Sequence, residues 1–169
     1  IGDADGAIRG TVYTSAEFIA AAELIIGLKA KVPSSFFIME IPGYRDGFLV
    51  FADCALNPDP SPEELAEIAL TTAESVRKLL GWEPKVALLS FSTKGSAEHP
   101  KVDKVRKAVE IAKRKAPPGV YIDGEFQADA AIVPEVARRK VKETSYVAGK
   151  ANVLIFPDLD AGNIAYKLV

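Results

Sequence analysis

Residues 85–91, Lys-Val-Ala-Leu-Leu-Ser-Phe, decide the fold. The run is apolar without alternation, and a strand with one wet face would alternate, so this one is covered on both faces. The flanking segments supply the cover. Upstream, Asn57-Pro58-Asp59-Pro60-Ser61-Pro62-Glu63-Glu64 is a turn leading into a helix. Ser61 can cap it, Pro62 suits its first position and Glu64 completes a capping box. Leu65, Ile68, Ala69, Ala73, Val76, Leu79 and Leu80 then share one face, and Gly81 supplies the stop. Downstream, the loop Ser92-Thr93-Lys94-Gly95-Ser96 precedes a helix from about Lys101 with Val102, Val105, Val109 and Ala112 on one side, ended by Pro117-Pro118-Gly119.

Working outward, the pattern predicts a short strand at 120–122, a helical stretch to about Lys140, a strand at 151–156 and a last helix led in by Pro157-Asp158-Leu159-Asp160-Ala161-Gly162-Asn163. On the other side, apolar runs at 35–41 and 48–51 flank a turn-rich 42–47 and read as a hairpin. Residues 14–29 have helical spacing behind a Thr14-Ser15 cap. Strands alternating with helices predict an α/β fold: a three-layer sandwich with a mainly parallel sheet, an antiparallel hairpin and helices on both faces.

A chain of 169 residues fits one domain, or a domain with a connecting segment. With 49% hydrophobic and 26% charged residues it is too apolar for disorder. A formal net charge of -2 provides no basic field, so neither nucleic acid nor an anionic membrane is an expected partner. Arg138, Arg139, Lys140 and Lys142 follow a helical stretch and read as a solvated helix end. The single cysteine, Cys54, leaves no intramolecular disulfide and suits a reducing compartment, with the cytoplasm the expected location. No stretch has the length and apolarity of a membrane span or a signal peptide. Beginning at Ile1 without methionine and stopping at Val169 inside a helical pattern, the chain reads as excised from something longer.

In sheets of this kind ligands bind outside the carboxyl ends of the strands, where loops meet helix N-termini that attract anions. Three places qualify: Thr14-Ser15, the 92–96 loop and the 158–163 loop. The 92–96 loop joins hydroxyls, a cation and a glycine behind a buried strand and could hold a phosphate; it could equally be a hydroxyl-rich turn with a solvated lysine. It lacks the GxxxxGK[ST] spacing of a P-loop, and the chain has no GxGxxG for a dinucleotide.

Several segments carry a resemblance: Ala4-Asp5-Gly6, Phe51-Ala52-Asp53-Cys54, residues 86–96 (VALLSFSTKGS), residues 122–131 (IDGEFQADAA) and residues 147–167 (VAGKANVLIFPDLDAGNIAYK). In order and spacing they resemble the phosphate acetyltransferase/phosphate butyryltransferase family over nearly the whole chain, with PDLDAGNIAYK the most specific. The resemblance implies an acyltransferase that moves an acetyl group between coenzyme A and inorganic phosphate. It implies a homodimer of two-domain subunits with the active site between domains, no cofactor beyond coenzyme A and phosphate as substrates, and acetyl phosphate as product. On that alignment 1–29 is the end of the first domain with its connecting helix, and 30–169 is the second domain, truncated at both ends.

Two departures matter. The family's catalytic Asp-Leu-Ser-Arg segment, with a following aspartate proposed as base, falls beyond Val169, so no catalytic residue is assigned here and the isolated chain is expected to be inactive. Upstream, the family's histidine-threonine-threonine-alanine-aspartate segment and the arginine three residues later correspond to Tyr13-Thr14-Ser15-Ala16-Glu17 and Ala20; Arg9 is a candidate replacement cation. The reaction needs a thiolate from a thiol of pKa about 8.5, hence a base or positive surroundings, and cations or helix N-termini for the departing phosphate and the oxyanion. Ser92, Thr93, Lys94, Gly162, Asn163 and Tyr166 are the candidates to line the second-domain wall, with Thr14 and Ser15 entering from the connecting helix.

Bland readings stand beside these. Asp158 and Asp160 read as N-caps, Asp123-Gly124 as a turn, Glu125 as a solvated neighbour, His99 as facing water and Lys167 as surface. Cys54 reads as a small buried hydrophobe, or as a residue near the acyl site that could carry an acyl intermediate, although no histidine partner is evident. No ligand cluster supports a metal. Alternatives to the acetyltransferase are phosphate butyryltransferase and a catalytically silent module that binds coenzyme A or acyl phosphate, the latter favoured by Ala20. A decarboxylating dehydrogenase-like domain would share only the architecture.

Overall fold

The computed structural model describes residues 12, 15–28, 30–44 and 47–169. The chain falls into two units, Ile1–Lys31 and Val32–Val169. The first contributes helix α1 (Ser15–Ile26). It ends short of the predicted Lys29 because Gly27, at φ 79°, turns the chain while its N–H closes on the Glu23 carbonyl at 3.1 Å.

The second unit is built on a five-stranded sheet in the order β1-β2-β5-β3-β4. The strands are β1 (Phe37–Glu40), β2 (Phe48–Ala52), β3 (Lys85–Leu89), β4 (Tyr121–Phe126) and β5 (Val153–Ile155). β1 runs antiparallel to β2, with Ile38 opposite Val50, and all other pairings are parallel. Of the hairpin turn, Arg45 and Asp46 lie outside the described residues. Alternate side chains of each central strand serve opposite layers. Val50, Ala52, Val86, Leu88, Val153 and Ile155 pack with Leu65 and Ile68 of α2 (Pro62–Ser75) and with Val105 and Val109 of α3 (Pro100–Lys115). Leu49, Phe51, Ala87, Leu89 and Leu154 face the other way, toward Ala131 of α4 (Ala128–Ile132) and Ala161 and Ala165 of α6 (Leu159–Leu168). α5 (Pro134–Lys140) rests on α4. Each fully buried Leu, Ile or Val contributes about 1.5–3 kcal/mol, so this two-sided burial is what the unbroken apolar run of β3 encodes.

The ends of elements differ from expectation for identifiable reasons. The capping box at Ser61 forms as read, with the Ser61 side chain accepting from the Glu64 N–H and the Glu64 carboxylate from the Ser61 N–H. The α-helix stops at Ser75 and a π-helical turn (Val76–Leu80) carries the chain to Gly81. The stretch expected to run helical to Lys140 breaks at Val133, whose backbone is extended ahead of Pro134. The largest correction concerns β4, which continues through Asp123-Gly124 rather than turning there, and Glu125 is 3% exposed rather than solvated. Gly124 permits this because β3 passes close by: a Cβ on Gly124 would lie 2.8 Å from the Leu88 carbonyl oxygen and 3.0 Å from Val109. The two acids tolerate burial because both carboxylates accept several charged or polar donors, as described below.

After β2 and β3 the chain turns into α2 and α3 on one face; after β5 it turns into α6 on the other. Neighbouring β5 and β3 therefore send their following loops apart, which opens a crevice at their carboxyl ends.

Candidate active site

That crevice is a cavity of about 340 Å³. Leu89, Phe156 and Ala161 give it an apolar wall, and Phe91, which leaves the end of β3, stands 54% exposed at its side with its ring edge-on to His99 at 5.8 Å. Two lysines of α3 border it. Lys104 is a clamp: its Nζ donates to Asp59 Oδ1 at 2.6 Å and to the Pro157 carbonyl at 2.9 Å, tying α3 to the loop after β5. Lys101 is 71% exposed, with its Nζ 4.0 Å from Asp158 Oδ2. Asp158 caps α6 by accepting from the Ala161 N–H at 2.9 Å, as read from the sequence. A mainly apolar cleft with a few polar groups at its mouth is the usual form of a small-molecule site.

None of the six second-domain residues singled out from the sequence lines this crevice; they belong to the loop after β3 and to α6, the elements that flank it. Ser92, Thr93 and Lys94 turn toward β4. Ser92 donates its hydroxyl to Glu125 Oε1 at 2.9 Å, Thr93 Oγ1 donates to Gln127 at 3.2 Å and accepts from its N–H at 2.9 Å, and Lys94 Nζ donates to Asp123 Oδ1 at 2.7 Å. Gly162, Asn163 and Tyr166 turn toward β2 and β1. Gly162 lies against the Asp53 carbonyl and the Cys54 sulfur, Asn163 donates to the Cys54 carbonyl at 3.0 Å, and the Tyr166 ring stacks on Phe37 at 4.4 Å. Both groups sit at the carboxyl edge of the sheet, on either side of the β3–β5 opening. Thr14, with Arg9 and Tyr13, lies outside the described residues, and Ser15 is the first residue of α1.

Cys54 is fully buried at the end of β2. Burial, and then the neighbouring Asp53, push its thiol up to about 12, so it is protonated at neutral pH and a poor nucleophile. Asp53 is a structural cap, accepting from the N–H groups of Ala55 at 3.0 Å and Asn57 at 2.8 Å and from the Ser35 hydroxyl. His99, read as merely facing water, is exposed but also caps α3, its Nδ1 accepting from the Lys101 N–H at 3.1 Å.

Asp123, expected in a turn, and Glu125, expected in solvent, are both buried carboxylates. Asp123 accepts from Lys94, from Lys113 at 2.6 Å and from Ser145 at 2.6 Å. Burial would raise its carboxyl, but the bonds from Lys113, Lys94 and Ser145 outweigh that and hold it below the usual range. Glu125 is held low in the same way: burial opposes, and the Gly95 N–H, the Ser92 hydroxyl and Arg106 prevail. A Gly between two acids is a turn signal by composition, and only the long-range lysines and the loop donors reveal it as strand.

Chemically, the crevice offers an apolar wall, the Ser90 hydroxyl, the ammonium groups of Lys101 and Lys104 and the Asp158 carboxylate that caps α6. Among the described residues no cluster of His, Cys, Asp and Glu could hold a metal.

The sequence pattern of the phosphate acetyl/butaryl transferase family matches residues 1–169. The chain is 56% identical over 173 residues to a phosphate acetyltransferase of Thermoanaerobacterium thermosaccharolyticum, covering 99% of this chain and 52% of that protein. It is 54% identical to a phosphate acetyltransferase of Clostridium acetobutylicum, covering 99% and 51%. A crystal structure of a phosphotransacetylase from Streptococcus pyogenes superposes with a TM-score of 0.83 at 46% identity, over 94% of this chain and 48% of that one. The chain thus spans about half the length of the curated relatives it matches. Because the match runs from the first residue to the last and the sheet superposes as well, the chain belongs to the phosphate acetyl/butaryl transferase family.

Proposed function

We propose that this chain supplies one wall of a phosphate acetyltransferase active site, acting in acetyl-CoA + phosphate = CoA + acetyl phosphate, and that the base and further cations come from the part of the relatives' length this chain does not span. The observation that carries the reading is the crevice between the carboxyl ends of β3 and β5, in a chain matched end to end by the family. Its apolar wall of Leu89, Phe156 and Ala161 suits the acyl thioester end of the donor, and Lys101 faces the anionic parts of either substrate. Ser92–Lys94 and Gly162–Tyr166 shape the crevice by fixing the loops on either side of it. Coenzyme A and phosphate enter as substrates, with no further cofactor. Residues 30–169 form the second domain, and the active form is a homodimer in the cytoplasm. Among the described residues no helix is long and apolar enough to cross a membrane.

The test is a chimera in which this chain replaces the matching half of one of the relatives, assayed for acetyl phosphate formation from acetyl-CoA and phosphate, with butyryl-CoA in parallel. Turnover is expected, favouring acetyl-CoA; Lys101→Glu should raise KM for coenzyme A substrates, and the chain alone should be inactive. A folded, dimeric chimera without turnover on either donor would replace this reading with the silent binding module.

A further inference from the structure

The loop that looks from its sequence like a phosphate cradle already holds an anion. Glu125 Oε1 receives the Ser92 hydroxyl at 2.9 Å, the Gly95 N–H at 2.8 Å and the Arg106 guanidinium at 3.4 Å. The Ser92 oxygen in turn accepts from the Ala97 N–H at 3.1 Å, Arg106 Nη2 donates to the Ala97 carbonyl at 3.0 Å, and the Lys94 N–H donates to the Glu125 carbonyl at 3.1 Å. A loop amide, a hydroxyl and a guanidinium converging on one oxygen are donors of the kind by which proteins bind free carboxylate or phosphate. Here the set is closed over a side chain that is 3% exposed.

We infer that Glu125 is a positioning residue, the built-in anionic occupant of the β3–α3 loop, which closes that loop to phosphate and sets the placement of Ser90 and Phe91 at the crevice. The path is short. Both halves of the 92–97 loop are anchored on Glu125, the Ser90 N–H donates to the carbonyl of the next residue, Phe126, at 2.8 Å, and Ser92 N–H reaches Ser90 Oγ at 3.3 Å. Phe91 lies between these two fixed points. The occupancy of the loop stands on geometry alone; its consequence for the crevice rests on the acyl-transfer reading.

The experiment uses the 169-residue chain, isotope-labelled for amide spectra and titrated with inorganic phosphate and with formate, as wild type, Glu125→Gln and Glu125→Ala. In the wild type the Ser92, Gly95 and Ala97 amides are expected to stay unmoved by either anion, because the cradle is filled. Glu125→Gln keeps the acceptor and should leave these amides near their wild-type positions. Glu125→Ala should lower Tm, shift the amides of 90–97, and recover both on addition of formate. Saturable movement of the wild-type Gly95 amide with phosphate would overturn the inference, and that arm needs no variant to fold. A folded Glu125→Ala chain indifferent to formate would overturn it as well. In the chimera, Glu125→Ala should raise KM about tenfold or more, the loss expected for bonds to a charged group, with kcat less affected. A changed KM without any amide response would sink the inference while sparing the acyl-transfer reading; an amide response in a chimera without turnover would do the reverse.

Discussion

Gly162→Ala is the substitution on which propensity and packing disagree in sign. By propensity alone, replacing a glycine inside α6 with alanine stabilises a helix by about 1 kcal/mol. The structure opposes this. Gly162 is buried, and its added Cβ would fall inside the contact radius of the Asp53 carbonyl oxygen and 3.2 Å from the Cys54 sulfur. A backbone carbonyl cannot rotate away, so α6 must lift off the end of β2, straining the bond from Asn163 to the Cys54 carbonyl. Overpacking of this kind costs about 1–3 kcal/mol, and a backbone obstacle belongs at the upper end, which leaves about 2 kcal/mol of net destabilisation after the propensity gain. For a domain of this size each kcal/mol moves Tm by about 2–4 °C, so Gly162→Ala should melt about 4–8 °C below wild type. The assay is thermal unfolding followed by circular dichroism, with Ile164→Ala, a 58% exposed position on the same helix, as the control expected to change little. A Gly162→Ala chain that melts at or above wild type would refute the close approach of α6 to Asp53 and with it the placement of one crevice wall.

Three further outcomes are expected. Asp123→Asn removes the acceptor shared by Lys94, Lys113 and Ser145 and should cost about 2–4 kcal/mol at pH 7, as breaking a mostly buried ion pair does. Because the folded Asp123 carboxyl is held low, its stabilisation is present above the ordinary aspartate pKa of about 3.9 and is lost as pH falls through the lowered value. Acid unfolding below about pH 4 should therefore be shallower in Asp123→Asn than in wild type, and an unchanged acid limb would contradict this. Cys54, protonated and fully buried, should resist iodoacetamide at pH 8 in the folded chain and react readily in denaturant; rapid labelling of the native chain would restore it as a nucleophile candidate. Thr72 carries a buried hydroxyl without a hydrogen-bond partner, so the isosteric Thr72→Val should stabilise by about 1 kcal/mol in urea unfolding, and a loss of stability would mean the hydroxyl is satisfied.

The sheet was legible because burial on both faces leaves a signature in composition. Lys85–Leu89 could be placed as a central strand from its unbroken apolar run, and α2 from a capping box whose partners are three residues apart. Local chemistry of that kind is written in consecutive residues. What could not be read depends on partners distant in the chain. Glu125 looks solvated until Ser92, Gly95 and Arg106 close on it, and Gly162 looks like a helix-start glycine until β2 is brought beneath it. The hydroxyls, glycine and lysine of the 92–96 loop can be read from consecutive residues, but that Glu125 of β4 takes up the Ser92 hydroxyl and the Gly95 N–H depends on strand register. Phe91 and Lys101, which border the crevice, gave no signal at all: an aromatic after a strand and a lysine at a helix start are ordinary until β5 folds in beside β3.

Whether substrate meets this chain at the divergence of β3 and β5 is tested most directly by titrating the isotope-labelled chain with coenzyme A and mapping the amide shifts. Saturable changes are expected to gather at Ser90, Phe91, Lys101, Asp158 and Ala161. Changes gathered instead at the hollow between Pro134, Arg138 and Glu143, or no response at any accessible concentration, would contradict that placement.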